Sequence, residues 1–500
     1  MIDIQDRIRC KELLSKVVTA EEAAAMINPS DKIGISGFTP SGYPKAVPLA
    51  LEKRIRDEHF KIDLWTGASV GPEADQALVE CDGMNRRFPY QTNGVLRKAI
   101  NTGKVHYIDM HLSHVAQQVR YGFFGELDVC IIEVCAITED GHLVPTTAIG
   151  NSPVFVSQAK KVIVEVNVSQ PLELEGMHDI YEPACPPHRQ PIPITSAGDR
   201  IGTPYIPCDR DKIVAIVPCD ITDKTRPFAP IDDDAKKMSA HLIDFLQNEI
   251  KHHRLPEGLL PLQSGVGNVA NAVISGLVES PFEGLSVYSE VIQDGMFDLI
   301  DAGKLDMVSG TSLSPSPDGL VRFYQNIDRY RDKIILRPQE ISNNPEVIRR
   351  LGVIAMNTAL EMDMYGNVNS THVTGTKMMN GIGGSGDFAR NGYLSIFFTQ
   401  STAKGGDISS IVPFASHLDH TEHDVHVYVS EQGVADVRGL SPKERARVII
   451  DNIVHPDYRD ALRDYLKRAE AATGGAQTPH LLDEAFSWHT RFLETGSMKK

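Results

Sequence analysis

Glu290 follows the strand-forming pair Val287-Tyr288. It lies one predicted helix after the loop Ser264-Gly265-Val266-Gly267-Asn268-Val269-Ala270-Asn271. The glycines of that loop leave backbone N–H groups uncovered by side chains, so the loop can hold an anion or a developing oxyanion. In open α/β sheets, ligands gather at the carboxyl ends of strands. Loop, helix, strand and carboxylate in that order describe a nucleophile beside its oxyanion hole. The competing reading is a surface glutamate that solvates an ordinary turn.

Other residues carry weaker chemistry. Gly265-Val266-Gly267 is half a dinucleotide fingerprint, because Ala270 stands where the third glycine belongs; a nicotinamide-dependent oxidoreductase is the alternative it leaves open. Gly381-Ile382-Gly383-Gly384-Ser385-Gly386-Asp387 lets a ligand approach the backbone closely, but it lacks the Lys-Ser/Thr of a P-loop and leads into no clear helix. Glu431, just past a second apolar strand, resembles Glu290 in setting and suggests an acid–base or nucleophilic pair. An ion pair with Arg438 is its bland alternative. Lys404 could meet a phosphate or simply be solvated. His417, His420, His423 and His426 recur every third residue, yet they join two predicted strands, and only a helix would gather that spacing on one face. No metal site is expected.

The elements that must position these residues read as α/β. Lys32–Phe38, Lys61–Trp65, Val105–Met110, Asp128–Ala136, Lys161–Asn167 and Lys212–Val217 are predicted strands, most of them separated by helical stretches. Asp128–Ala136 is almost wholly apolar, the mark of a strand buried on both faces. Thr19-Ala20-Glu21-Glu22 is a capping box. The Pro-rich run 177–207 reads as an irregular excursion over a surface, and 220–234 as a linker. In the second half, strands are expected at 305–308, 333–336, 394–398, 408–414 and 424–429. Lys32–Leu51 and Leu260–Leu277 each read strand, Ser-Gly loop, helix, a weak internal echo. Five hundred residues exceed one core, so two domains are expected, 1–225 and 226–500. The formal charge of −16 argues against broad nucleic-acid binding. Seven cysteines, all in the first half and without a CxxC pair, fit a reducing cytoplasm. No apolar run is long enough for a membrane span.

Four long motifs occur in order: Ser264 to Val273, Tyr288-Ser289-Glu290-Val291-Ile292-Gln293-Asp294-Gly295, Met379 to Phe388, and Glu431-Gln432-Gly433-Val434-Ala435-Asp436. With Ser36-Gly37-Phe38-Thr39 and Thr66-Gly67-Ala68-Ser69, they resemble the acetyl-CoA hydrolase/transferase family of class I CoA-transferases over nearly the whole chain. Within it the chain is most similar to the branch acting between succinyl-CoA or propionyl-CoA and short carboxylates. The resemblance implies two open α/β domains of the class I CoA-transferase type, a homodimer, and coenzyme A as substrate. It implies that Glu290 is the nucleophile and passes through an acyl–glutamyl anhydride to a glutamyl-CoA thioester. It further implies an oxyanion hole from the N–H groups of Val266 and Gly384. The CoA site would be lined by Gly265, Val266, Gly267, Asn268, Val269, Asn380, Gly384 and Lys404. Ser69, Thr92, Asn343 and Glu431 would lie near the small carboxylate or the active glutamate. Where better-known class I transferases have Ser-Glu-Asn-Gly, Ser289-Glu290 here precedes Val291-Ile292, so acceptor preference does not carry over from the wider class. The activity expected is CoA transfer between succinyl-CoA and acetate, with propionyl-CoA:succinate transfer or acetyl-CoA hydrolysis as alternatives on the same site.

Overall fold

The structure is a computed structural model that describes residues 2–265 and 267–500. It contains two large sheets. The first is built from β1 (Lys32–Ile35), β2 (Ile62–Trp65), β3 (Met84–Phe88), β4 (His106–Tyr107), β5 (Val129–Ile137), β6 (Lys161–Asn167) and β7 (Ile213–Cys219). The second is built from β8 (Leu262–Ser264), β9 (Leu285–Tyr288), β10 (Leu305–Gly310), β11 (Ile334–Leu336), β12 (Ile354–Thr358), β13 (Leu394–Phe398) and β14 (Val427–Ser430). These strands run parallel, in the orders β4-β3-β2-β1-β5-β6-β7 and β11-β10-β9-β8-β12-β13-β14. Strand for strand, the two orders are the same. The internal echo therefore reflects one α/β topology used twice.

Both orders reverse beside their first strand, between β1 and β5 and between β8 and β12. That reversal opens the crevice in which α/β sheets bind ligands. The first glycine loop leaves β8 at this point in the second sheet, and Glu290 leaves the adjacent β9.

The core explains the layering. All nine residues of β5 are buried, as its apolar run requires. Val129 and Ile131 face the helix Ala46–Glu58, whereas Cys130 and Ile132 join the cluster on the other face. That second cluster continues through Leu242, Leu262, Val287, Phe297, Ile354 and Val429, so one apolar core reaches both sheets. Phe155 packs where a side chain on Gly34 would stand, its ring 2.7 Å from that Cβ position.

Several expectations are corrected. The strand expected over 105–110 is only His106–Tyr107, because the chain leaves the sheet to bring Asp109 to the second glycine loop. The run 408–414 splits into Ile408–Ser409 and Ile411–Val412, which pair in two different small sheets. Met84–Phe88 is a strand that its arginines conceal in sequence. Arg87 is buried there because Asp75 neutralises it at 2.8 Å. A short helix, Ser385–Ala389, does follow the second glycine loop.

The linker is anchored rather than loose. Asp223 and Glu133 hold the fully buried ammonium of Lys45 at 2.8 and 2.5 Å. Burial alone would discharge Lys45, but the two carboxylates keep it protonated. The Pro-rich excursion is anchored as well. Its Ile192, Ile194 and Ala197 pack with Ile341, Val347 and Phe388, and its Asp179 pairs with the buried Arg337.

Candidate active site

Glu290 follows β9 and is 6% exposed. Its backbone is fixed by the neighbouring strand segment, since its carbonyl accepts from Thr311 N–H at 2.7 Å and Ser312 N–H at 3.2 Å. The side chain lines a small cavity of about 90 Å³ with Phe38, Thr39, Tyr90, Gly265, Asn380 and Gly384. A buried water occupies roughly 10–15 Å³ on the same kind of measure, so this space suits a ligand of a few heavy atoms. Gly267, Asn268 and Val269 instead line an adjoining recess of about 320 Å³, with Gln400, Thr402 and Ala403. Thr358, at the end of β12, borders both spaces.

The Asn343 amide donates to Glu290 Oε1. Its carbonyl oxygen accepts from Ser342 Oγ at 2.8 Å, and its NH2 group also faces Asp387 Oδ2 at 3.4 Å. A Cβ on Gly384 would stand 1.3 Å from Glu290 Oε1 and 2.1 Å from Asn343 Nδ2. The carboxylate therefore lies directly against the glycine backbone, in space that only glycine leaves open.

The first half of the chain clamps the second glycine loop. Arg97 Nε donates to the Met379 carbonyl at 2.6 Å, and Tyr107 OH to the Asn380 carbonyl at 2.9 Å. Asp109 accepts from Ile382 N–H at 2.9 Å. Ser113 N–H and Oγ bond Asp387 at 3.0 and 2.6 Å. The cavity is thus closed by contributions from both sheets.

Burial sets the protonation of the site. It pushes Glu290 up to about 8; the Asn343 hydrogen bond opposes the shift and the Asp387 charge adds to it. Burial pushes Asp387 up to about 7 against its bonds from Ser113 and Asn343. The second carboxylate near Glu290 is therefore Asp387, a residue of the glycine motif to which sequence reading gave no role. Its signal was its position at the third residue of a helix, where an acid ordinarily caps its own N-terminus; here it reaches across to Ser113.

Of the residues singled out from sequence, Glu290, Gly265, Asn380, Gly384 and Asn343 come together. Glu431 does not line the cavity. Its carboxylate holds Ser401 N–H at 2.9 Å and Ser401 Oγ, and so braces the turn bearing Gln400 and Thr402. Burial opposes its ionisation, but these bonds leave its acidity stronger than usual. Nor does Glu431 form the ion pair that was the alternative reading: Arg438 pairs with Asp436 and Glu249. Lys404 is exposed beside Ala403, with its ammonium 4.8 Å from the Phe492 ring centre. Ser69 is buried next to the cavity-lining Ala68, and its hydroxyl has no partner among the described residues. The Thr92 carbonyl accepts from Arg226 at 3.1 Å. Val266 lies outside the described residues.

The histidine series is dispersed: His420 meets Ser385 Oγ at 3.0 Å, whereas His426 meets the Ser395 N–H at 3.1 Å. Among the described residues no group of three His, Cys, Asp or Glu could hold a metal ion, and no helix is long and apolar enough to cross a membrane.

Comparison with known proteins converges on one family. Models of the acetyl-CoA hydrolase/transferase N-terminal and C-terminal domains match residues 1–218 and 319–466. The chain is 58% identical over 497 residues to the succinyl-CoA:acetate CoA-transferase of Clostridium kluyveri, covering 99% of this chain and 92% of that one. It is 48% identical to the propanoyl-CoA:succinate CoA transferase of Escherichia coli, covering 96% and 98%. RipA from Yersinia pestis superposes with a TM-score of 0.71 at 22% identity over 93% and 99% of the chains, which speaks to the fold alone.

Proposed function

The chain belongs to the acetyl-CoA hydrolase/transferase family, and on that premise we propose that it moves CoA between succinyl-CoA and a short carboxylate, acetate foremost. The observation that carries this reading is a buried glutamate pressed against a glycine backbone at the end of a small cavity, with a larger recess beside it. Family membership removes the nicotinamide reading of Gly265–Gly267.

Ionised Glu290 attacks the thioester carbonyl. The C–S bond breaks, CoA leaves as thiolate, and an acyl–glutamyl anhydride remains. The thiolate then attacks the glutamyl carbonyl, releasing the first carboxylate and leaving a glutamyl-CoA thioester. An acceptor carboxylate attacks that thioester, and the steps run in reverse. The Gly384 N–H, which donates to no acceptor among the described residues, stabilises the tetrahedral oxyanions, with Val266 N–H as the second donor. A donor of this kind contributes about 3 kcal/mol to the transition state. Asn343 holds the nucleophile in line. The acyl group occupies the small cavity, near Ser69 and Thr92. CoA extends along Gly265–Val269 past Asn380 toward Lys404, over the wall that Glu431 braces. No metal enters these steps. A homodimer in a reducing cytoplasm completes the proposal, in keeping with seven free cysteines.

The test is mass spectrometry of the intact protein after incubation with succinyl-CoA. One CoA is expected on the peptide holding Glu290, discharged by added acetate. Thioester loss at full rate without any carboxylate acceptor would instead identify a hydrolase. The near-complete burial of Glu290 disfavours that outcome by keeping water from the intermediate.

The pH dependence follows from the raised pKa values of the two carboxyl groups. Because the carboxylate form attacks, kcat/KM should rise about tenfold per pH unit and level off near pH 8. Stability should move the other way. The folded state keeps protons on Glu290 and Asp387 that the unfolded chain has lost, so unfolding free energy falls as pH rises from the ordinary carboxyl range to about 8. Initial rates and thermal melts across pH 5 to 9 check both signs.

A further inference from the structure

Asp387 makes no contact that the transfer steps require, yet it is 4% exposed and ties together three parts of the site. Its Oδ1 accepts from Ser113 Oγ at 2.6 Å and its Oδ2 from Ser113 N–H at 3.0 Å, both from the first half of the chain. The same Oδ2 faces Asn343 Nδ2 at 3.4 Å. One Asn343 amide nitrogen therefore stands between two carboxyl groups, Glu290 and Asp387. Only the NH2 end of an amide can satisfy both, since a carbonyl there would meet two oxygens. Ser342 Oγ on the Asn343 carbonyl favours the same orientation.

We propose that Asp387 is the positioning residue of the reaction: it fixes the Asn343 amide toward Glu290, ties that amide through Ser113 to the first half of the chain, and sets a second carboxylate beside the nucleophile. This rests on Glu290 being the nucleophile. The charged and titratable groups around the pair are few. His111 Nδ1 lies 3.9 Å from Asp387 Oδ1, and burial keeps His111 neutral near pH 7. Tyr90, on the cavity wall, has its phenol pushed up to about 12 by burial and is neutral as well. His114, Arg390, Asp419 and Asp424 act on His111 rather than on Asp387. Among these groups Asp387, where ionised, is the one whose charge adds to the effect of burial on Glu290.

The experiment compares wild type, Asp387→Asn and Ser113→Ala. Glutamyl-CoA formation from succinyl-CoA is followed by mass spectrometry in single turnover at a series of pH values, with a thermal melt of each protein. Asp387→Asn removes the charge, so the midpoint of the acid limb should move to lower pH by about one unit. The rate on the plateau should drop by up to about tenfold, because the substituted amide has one acceptor oxygen where the carboxylate has two, and Ser113 and the Asn343 amide compete for it. Ser113→Ala weakens Asp387 as an acid and should move the midpoint in the same direction by less; it also provides the test if Asp387→Asn fails to fold. Midpoints equal to wild type in the folded variants would overturn the inference. Absence of the adduct in wild type would overturn the transfer reading itself, so the two failures are distinct.

Discussion

Glu290→Ala should lose CoA transfer by at least about 10,000-fold, the scale seen when a covalent nucleophile is deleted. CoA binding should persist, because the recess lined by Gly267, Asn268, Val269 and Gln400 does not include the Glu290 side chain. Isothermal titration with CoA and mass spectrometry with succinyl-CoA measure the two properties separately. Retained transfer with a CoA adduct on another residue would remove Glu290 from the mechanism. A second effect runs in the opposite sense. A carboxyl pushed up to about 8 by burial destabilises the folded chain once it ionises. Glu290→Gln keeps the shape without the charge, so it should melt at higher temperature than wild type, by a margin that widens from pH 6 to pH 9. A site built for catalysis at the cost of stability predicts that sign. Deamidation of the glutamine would restore activity slowly, so activity in that variant is read at once after purification.

How far the site was legible in sequence follows from which interactions are local. Glu290, the loop at Gly265 and the strands around them were readable because glycine freedom, strand propensity and the end of a strand are properties of a few adjacent residues. Asp128–Ala136 and Leu394–Phe398 were readable for the same reason, as continuous apolar runs. Met84–Phe88 was not, since Arg87 enters the sheet only with its charge met by Asp75, twelve residues earlier. Glu431 and Asp387 show the limit most clearly. Each is an acid beside a glycine motif, and only the tertiary fold decides that Glu431 turns to Ser401 while Asp387 turns to Ser113 and Asn343. The doubled topology was faintly visible as an echo between two strand–loop–helix segments. Its full extent emerges only from the pairing order, which no local pattern encodes.

Gly384→Ala is expected to lower kcat by about 100- to 1,000-fold, on the scale of losing an oxyanion donor. Gly384 has φ −97° and ψ 1°, a conformation open to alanine, so the substitution imposes no backbone strain. The whole effect comes from where the methyl group must go. Its carbon would stand 1.3 Å from Glu290 Oε1 and 2.1 Å from Asn343 Nδ2, so the carboxylate and its amide partner must move aside. Overpacking of this kind costs about 1–3 kcal/mol of stability, read as a lower melting temperature. The cause can be isolated by combining the two substitutions. Glu290→Ala removes the closest clash and leaves room into which the Asn343 amide can shift, so Gly384→Ala should cost less stability in that background. The double variant should then melt well above the sum of the two single effects, a coupling expected only between groups in direct contact. Additive melting temperatures would mean that Glu290 does not rest against the Gly384 backbone, and the proposed oxyanion geometry would fail with it.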